Sequence, residues 1–395
     1  MKVKKEASRS ATASSRLYAI VAPGLEQMLV RELEEIGVKP GATTSGGVSF
    51  DGSLNQLRLV NLWSRVANRV LVRVDEFHAN SFHELERRAK RVGWKRFMTA
   101  GQPVRFRVTC RKSRLYHSDA VAERLAAAVN GQFGGSVAVT IAGVETDDDV
   151  DAVSSAQLFV IRLMNDVCTI SADSSGELLH RRGYRQAVAK APLRETLAAG
   201  MLIGSGWNRE SPLGDPMCGS GTIPIEAALM ARRMAPGVGR QFAFERWPSH
   251  DAEAWRKTID RARDSALPAA GIPIFGSDRD KGAIAASVSN AERAGVGTDI
   301  EFSVSAISDA PIPGEPGWMV TNPPYGLRLG ESGSLKNLYS QLGKVARSRA
   351  PGYRVAMLSA DKALEGQLKL DMTEVFKTKN GGIPVRLVVG MVASK

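Results

Sequence analysis

The chain has 395 residues, more than one hydrophobic core usually organises, so two or more domains are expected. Hydrophobic residues make up 43% and charged residues 24%, as in an ordinary soluble protein, while 53 Lys and Arg against 41 Asp and Glu leave a net charge of +12. That excess suits a polyanionic partner, because each phosphate neutralised by Lys or Arg releases condensed counterions. Cys110, Cys168 and Cys218 stand far apart with no C-x-x-C spacing, which excludes a disulfide framework or a zinc ribbon. The five histidines form no H-E-x-x-H pattern, so no metal is expected, and the thiols read as reduced in a cytoplasmic protein. Apolar runs such as Leu158 to Ile161 fall far short of a membrane span, and no signal peptide is apparent.

Residues 1–15 are small, polar and lysine-bearing and read as a disordered tail. Over 16–75 the text alternates strand and helix: LYAIVAP, LEQMLVRELEEIG, GGVSFDG, LNQLRLVNLWSRVANRV and VLVRVDEF. This predicts a small α+β unit with helices on one face of a short sheet. A second unit over 76–172 holds helix SFHELERRAKRVGW, strand PVRFRVTC, helix HSDAVAERLAAAVNG and strands SAQLFVIRLM and VCTISAD. In PVRFRVTC, Val104, Phe106 and Val108 share one face and Arg105 and Arg107 the other. From Arg87 to Arg114 eleven basic residues occur with no acid among them, whereas a merely solvated face intersperses both signs. Within that run Arg105, Arg107, Arg111, Lys112 and Arg114 are candidate RNA contacts.

A connecting segment over 173–208 leads into 209–395, where GDPMCGSGT, IPIEAALMARRM, IPIFGSDRD, AIAASVSNAERAG, IEFSVS, WMVTNPPYG, a helix around LKNLYSQLGKVARS and YRVAMLSAD alternate strand and helix. That pattern predicts a doubly wound, largely parallel sheet whose ligands sit outside the carboxyl ends of its strands. The excess length between the first two strands is read as an insertion between Met234 and Asp264, whose Pro, Gly and aromatic residues break the helical pattern.

Three constellations carry chemistry. Asp215-Pro-Met-Cys-Gly-Ser-Gly221 ends a strand and precedes a helix; Gly219 and Gly221 permit a tight turn and close approach of a ligand to backbone. The loop is neither G-x-G-x-x-G nor G-K-[ST], which disfavours a dinucleotide or nucleoside triphosphate, and Asp215 suits a cationic group such as the amino-acid part of S-adenosylmethionine. In Phe275-Gly-Ser-Asp278 the acid ends the second strand and can accept hydrogen bonds from both hydroxyls of a ribose, the alternative being a cap for the helix near Asp280. Thr321-Asn-Pro-Pro-Tyr-Gly326 follows an apolar strand. The prolines hold the chain extended, so that the Asn322 side-chain oxygen and the Pro323 carbonyl can accept the two hydrogens of an exocyclic base amine. Those acceptors favour the charge that develops as nitrogen attacks a sulfonium methyl, and Tyr325 can stack on the base.

DPMCGSGT, FGSDRD and TNPPYG in that order resemble the class I methyltransferases that modify exocyclic amino groups, and SRLYHSDAVAERL, LHRRGYR and APLRETLAAGML resemble the THUMP-domain RNA methyltransferases. The resemblance implies an α/β fold with a Rossmann-like class I methyltransferase domain, a mostly parallel sheet with helices on both faces, over 209–395. It further implies a ferredoxin-like domain over 16–75 and a THUMP domain over 76–172 that positions RNA. The expected cofactor is S-adenosylmethionine, held by Asp215, Met217, Gly219, Ser220 and Gly221 at its methionine end and by Asp278 and Arg279 at its ribose. Asn322, Pro323, Pro324 and Tyr325 are expected to hold the target base, with Asn322 also lining the cofactor site. The expected product is N2-methylguanosine in structured RNA: 23S ribosomal RNA or an assembling large subunit, with transfer RNA as the alternative. The sequence departs from the family after the third strand, where an acid usually meets the adenine amino group and this chain has Ala306; either a neighbouring backbone carbonyl takes its place or the cofactor binds more weakly. Two competing readings are a DNA adenine-N6 methyltransferase, since N-P-P-Y fits any planar amine, and a non-catalytic RNA-binding or ribosome-assembly factor, which cofactor affinity would separate from the enzymes.

Overall fold

A computed structural model describes residues 14–135, 137–141, 155–185, 193–312, 316–325 and 332–394. The tail expected over 1–15 lies outside the described residues except at its last two positions, and Ser15 already opens the first strand. The N-terminal half contains β1 (Ser15–Val21), α1 (Glu26–Glu35), β2 (Thr43–Thr44), β3 (Gly47–Gly52), α2 (Leu54–Trp63), β4 (Ala67–His78), α3 (Phe82–Ala89), β5 (Val104–Arg111), α4 (Ser118–Phe133), β6 (Val139–Ile141), β7 (Gln157–Met164) and β8 (Val167–Asp173). Its eight strands form one sheet in the order β2-β3-β1-β4-β8-β7-β5-β6. The strand β4 runs through the expected division at 75/76, pairing antiparallel with β1 on one side and β8 on the other. The two front units therefore share a continuous sheet.

Local chemistry accounts for the element ends. Ser53 and Gln56 form a reciprocal capping box at the start of α2. The helical periodicity expected as far as Val70 stops at Trp63, because the buried Glu32 carboxylate on α1 accepts from Ser64 Oγ at 2.5 Å and from the Arg65 and Val66 amides at 2.6 and 3.3 Å. Those donors turn the chain toward Glu32, and β-branched Val66 leads into β4. Burial raises the Glu32 pKa, so these bonds are what allow a carboxylate in the core.

The C-terminal half contains α5 (Glu195–Gly204), β9 (Leu213–Asp215), α6 (Thr222–Ala231), α7 (Ala252–Asp264), β10 (Ile274–Asp278), α8 (Lys281–Arg293), β11 (Glu301–Val304), β12 (Trp318–Thr321), α9 (Ser332–Arg349), β13 (Arg354–Ser359), α10 (Lys362–Gly366), β14 (Thr373–Asn380) and β15 (Ile383–Met391). Its sheet runs β11-β10-β9-β12-β13-β15-β14. The pairs from β11 to β13 are parallel, and β15 lies antiparallel to both β13 and β14. Strand order reverses at β9, which sits between β10 and β12 and so places a crevice at their carboxyl ends.

The insertion after Met234 is more ordered than its composition suggests. It holds α7, capped by Asp251, and an aromatic cluster of Phe242, Phe244 and Trp255. Trp247 reaches across to the front half, edge-on to Phe97 at 5.0 Å and donating from Nε1 to Gln157 Oε1 at 2.8 Å. The halves also meet where Gly24 abuts β14 so closely that a Cβ would lie 1.7 Å from the Lys377 carbonyl oxygen. Only glycine fits there.

Candidate active site

Three parallel neighbours, β10, β9 and β12, deliver the three constellations side by side. Asp215 ends β9 with its carboxylate buried; Oδ1 accepts from Thr321 Oγ1 at 2.7 Å and from the Met217 amide at 3.1 Å. The first bond joins the ends of β9 and β12. Burial, with Asp278 nearby, raises the Asp215 pKa from the ordinary carboxylate value near 3.8 to about 7, against the pull of those two bonds. A cation seated beside it would reverse that penalty, which fits the ammonium expected of the ligand.

The glycine loop is held from outside. Gly219 and Gly221 have φ of +54° and +83°. A Cβ at Gly221 would meet the Ser287 Cβ at 3.0 Å, whereas one at Gly219 would meet nothing within 4 Å. The first glycine thus faces open space and the second faces α8. From α8, Ser287 Oγ donates to the Gly219 carbonyl at 2.7 Å and Asn290 Nδ2 to the Ser220 carbonyl at 3.0 Å. The expectation that Asp278 ends the second strand holds, and its alternative as a helix cap does not: Asp280 caps α8. The Asp278 carboxylate accepts from the Gly219 amide at 3.1 Å and the Asp280 amide at 3.0 Å, one bond on each oxygen, which leaves each a further acceptor position. Met217 is half-buried beside the loop, and Arg279 is exposed.

Asn322 follows the last residue of β12. Its Oδ1 accepts a short hydrogen bond from the Tyr325 hydroxyl, which in turn accepts from Asn380 Nδ2 at 3.2 Å at the end of β14. The Tyr325 hydroxyl therefore orients Asn322, and Oδ1 keeps one free lone pair. Burial lifts the Tyr325 pKa to about 12, so the phenol stays a donor at neutral pH. Pro323 is buried and Pro324 exposed, and the Pro324 carbonyl accepts from Tyr339 on α9 at 3.3 Å. Gly326 lies outside the described residues. Ala306 is exposed just beyond β11, and its carbonyl accepts from the Asp309 amide at 2.9 Å. Beside it, Ser305 has a buried hydroxyl without a partner among the described residues.

The braces are not legible in the sequence motifs. Ser287, Asn290, Asn380 and Tyr339 come from elements remote in the chain and carry no local signature. One brace had a legible signal: Glu226 is the sole acid in the apolar run TIPIEAALMA and is fully buried. Its carboxylate meets Arg182 at 3.4 Å and the Tyr184 hydroxyl at 3.2 Å, and Arg185 donates to Thr222 Oγ1 at the start of α6 at 2.9 Å. A buried acid needs such partners, and the segment LHRRGYR supplies them. Of the basic candidates, Arg111, Lys112 and Arg114 are exposed at the end of β5, while Arg105 and Arg107 are half-buried.

No group of His, Cys, Asp or Glu that could hold a metal occurs among the described residues, and none of their helices is long and apolar enough to cross a membrane.

Comparison with known proteins agrees with this geometry. Residues 182–388 match the model of the RMKL-like methyltransferase domain and residues 16–71 that of the RlmL ferredoxin-like domain. A Synechocystis protein, slr0064, named as an RNA methyltransferase, is 34% identical over 95% of this chain and 97% of its own length. The ribosomal RNA large subunit methyltransferase K/L of Syntrophotalea carbinolica is 35% identical over 94% of this chain, which spans about half of that longer protein, 53%. A methyltransferase solved with SAH superposes with a TM-score of 0.82 at 27% identity, covering 97% of this chain and 98% of its own. The chain belongs to the RMKL-like methyltransferase family, with the seven-stranded sheet as its methyltransferase domain and an RlmL-type ferredoxin-like domain at its front.

Proposed function

We propose that this protein is an S-adenosylmethionine-dependent RNA methyltransferase that forms N2-methylguanosine in large-subunit ribosomal RNA. The observation that carries the reading is the convergence of Asp215, Asp278 and Asn322 at the carboxyl ends of β9, β10 and β12. Bound there, the cofactor supplies an electrophilic methyl group on a sulfonium. Asp215 holds the ammonium of its amino-acid end, Met217, Gly219, Ser220 and Gly221 line that end, and Asp278 accepts from the ribose with Arg279 at the rim. The partnerless Ser305 hydroxyl takes the place of the family's acid at the adenine, next to Ala306.

Asn322 offers its remaining Oδ1 lone pair, with the Pro323 carbonyl, to the two hydrogens of the guanine amine. These acceptors favour the partial positive charge that grows on nitrogen during transfer. Because Tyr325 and Asn380 fix the amide orientation beforehand, little reorganisation remains at the moment of reaction. RNA as substrate is supported by the names of the curated relatives, by the excess of basic residues and by the exposed Arg111, Lys112 and Arg114, with Arg105 and Arg107 behind them. The front unit over 76–172 takes the THUMP role of positioning RNA. Incubating the protein with labelled cofactor and large-subunit RNA should yield labelled N2-methylguanosine; label in adenine, or none, would refute the assignment.

A further inference from the structure

A second concave site lies apart from the three motifs. It is a cavity of about 380 Å³ lined by none of the residues of the Asp215, Asp278 or Asn322 constellations. Three parts of the fold make its wall: Arg69 and Arg105 from two strands of the front sheet, Arg181 and Arg182 from the connecting segment, and Arg240 and Arg246 from the insertion before α7. Among the described residues that line it, two carboxylates, Asp173 and Glu177, stand against these six guanidiniums. Asp173 is held by Arg69 in an ion pair buried on both sides, and Arg182 is turned to Glu226.

Gathering like charges in a half-enclosed space costs free energy unless an anion offsets it. The strain is visible at Arg240. Burial, with Arg182 nearby, pushes its guanidinium down to about 10, and its Nε is buried with no hydrogen-bond partner among the described residues. Its other nitrogens donate to the Arg181 and Glu177 carbonyls, which hold it at the wall. Guanidinium forks held in this way match phosphate oxygens.

We propose that this cavity binds a phosphodiester of the RNA substrate, outside the cleft where the base reacts. The inference rests on the RNA reading above. Arg105 lies on β5, and Arg111 ends the same strand six residues on, about 20 Å away at the rise of an extended chain. A free phosphate needs only the cavity, whereas cations spaced along a strand follow a chain of phosphates. The cavity wall is also tied to the cofactor loop, since Arg182 and Tyr184 bind Glu226 of α6 and Arg185 binds Thr222 at its first turn. RNA fixed in the cavity is thereby fixed relative to that loop.

The test is filter binding of an in vitro transcript of large-subunit ribosomal RNA to the full chain over a range of salt, with calorimetry of S-adenosylhomocysteine alongside. Arg246→Gln removes one cation. Gln241→Glu adds an anion at the exposed rim with no change of shape and leaves every arginine in place, so it decides the matter if Arg246→Gln fails to fold. Each variant should bind RNA about tenfold more weakly at low salt. The slope of log affinity against log salt should become shallower by about one, with cofactor affinity unchanged. An affinity and slope equal to wild type would overturn the proposal alone, as would a parallel loss of cofactor affinity or competition by millimolar inorganic phosphate with no effect of the variants on RNA. Wild-type protein that binds no RNA would overturn the functional reading as well.

Discussion

The cleft at the ends of β9, β10 and β12 and the arginine cavity beside the connecting segment are built by opposite means. The cleft is made of three short contiguous motifs, each beginning where a strand stops, so residues that act together are also neighbours in sequence. In the cavity, Arg69, Arg105, Arg181 and Arg246 come from four separate stretches and meet only because the two sheets pack through the connecting segment. Chemistry that needs unusual backbone leaves glycine and proline in the text. Chemistry that needs only charge leaves nothing but a composition.

Glu226 belongs to both regions, and its loss sets the largest effect. Glu226→Ala removes the acceptor of Arg182 and Tyr184 in a fully buried position, which should destabilise the fold by about 3–5 kcal/mol in denaturant unfolding. It should disturb RNA and cofactor binding together, and a loss below about 1 kcal/mol would mean that the link between the regions is not structural. Asn322→Ala confines the damage to the cleft: methyl transfer should fall about 100- to 1000-fold with cofactor affinity little changed, as when one preorganised hydrogen-bonding group is lost. Unaltered turnover would remove Asn322 from the mechanism. Tyr325→Phe sharpens the same point, because it frees Oδ1 but lets the amide rotate, and should lower turnover by a smaller factor than Asn322→Ala.

The raised pKa of Asp215 gives the cleft a pH signature that the cavity lacks. With its folded value near 7, above the ordinary 3.8, the neutral form is favoured by burial, so its contribution to stability is full below about pH 4 and is lost as pH rises through 7. Cofactor affinity has the opposite sense, since the ammonium needs the carboxylate. Affinity should rise by about tenfold per unit up to pH 7 and then level off, and Asp215→Asn should be weak and flat. A wild-type affinity independent of pH from 5 to 7 would contradict the pairing. The smallest effect is at Gly221, where alanine must adopt a positive φ and push against Ser287, costing about 1–2 kcal/mol in stability and weakening cofactor binding.

How much the sequence disclosed follows the same division. Alternating strands and helices revealed the doubly wound sheet, and Asp215, Gly219, Gly221, Asp278 and Asn322 were legible as a group because each sits at a strand end or in the turn that follows it. The continuous front sheet was not legible, since the pairing of β4 with β8 joins residues about a hundred positions apart that alternate no differently from any other strand. The hairpin of β14 and β15 that completes the second sheet escaped notice for the same reason. The end of α2 at Trp63 was hidden because Glu32, which turns the chain there, lies on another helix. The orienting role of the Tyr325 hydroxyl was hidden because its partner Asn380 is remote in sequence.

The central claim is the transfer of a methyl group to guanine N2 in large-subunit ribosomal RNA, and position-resolved mass spectrometry of nucleosides from cells with and without the gene tests it most directly. One N2-methylguanosine should disappear from the large-subunit RNA of the deletion strain and return with the wild-type gene but not with Asn322→Ala. Unchanged N2-methylguanosine in that RNA, with a loss in transfer RNA or of N6-methyladenine in DNA instead, would contradict it.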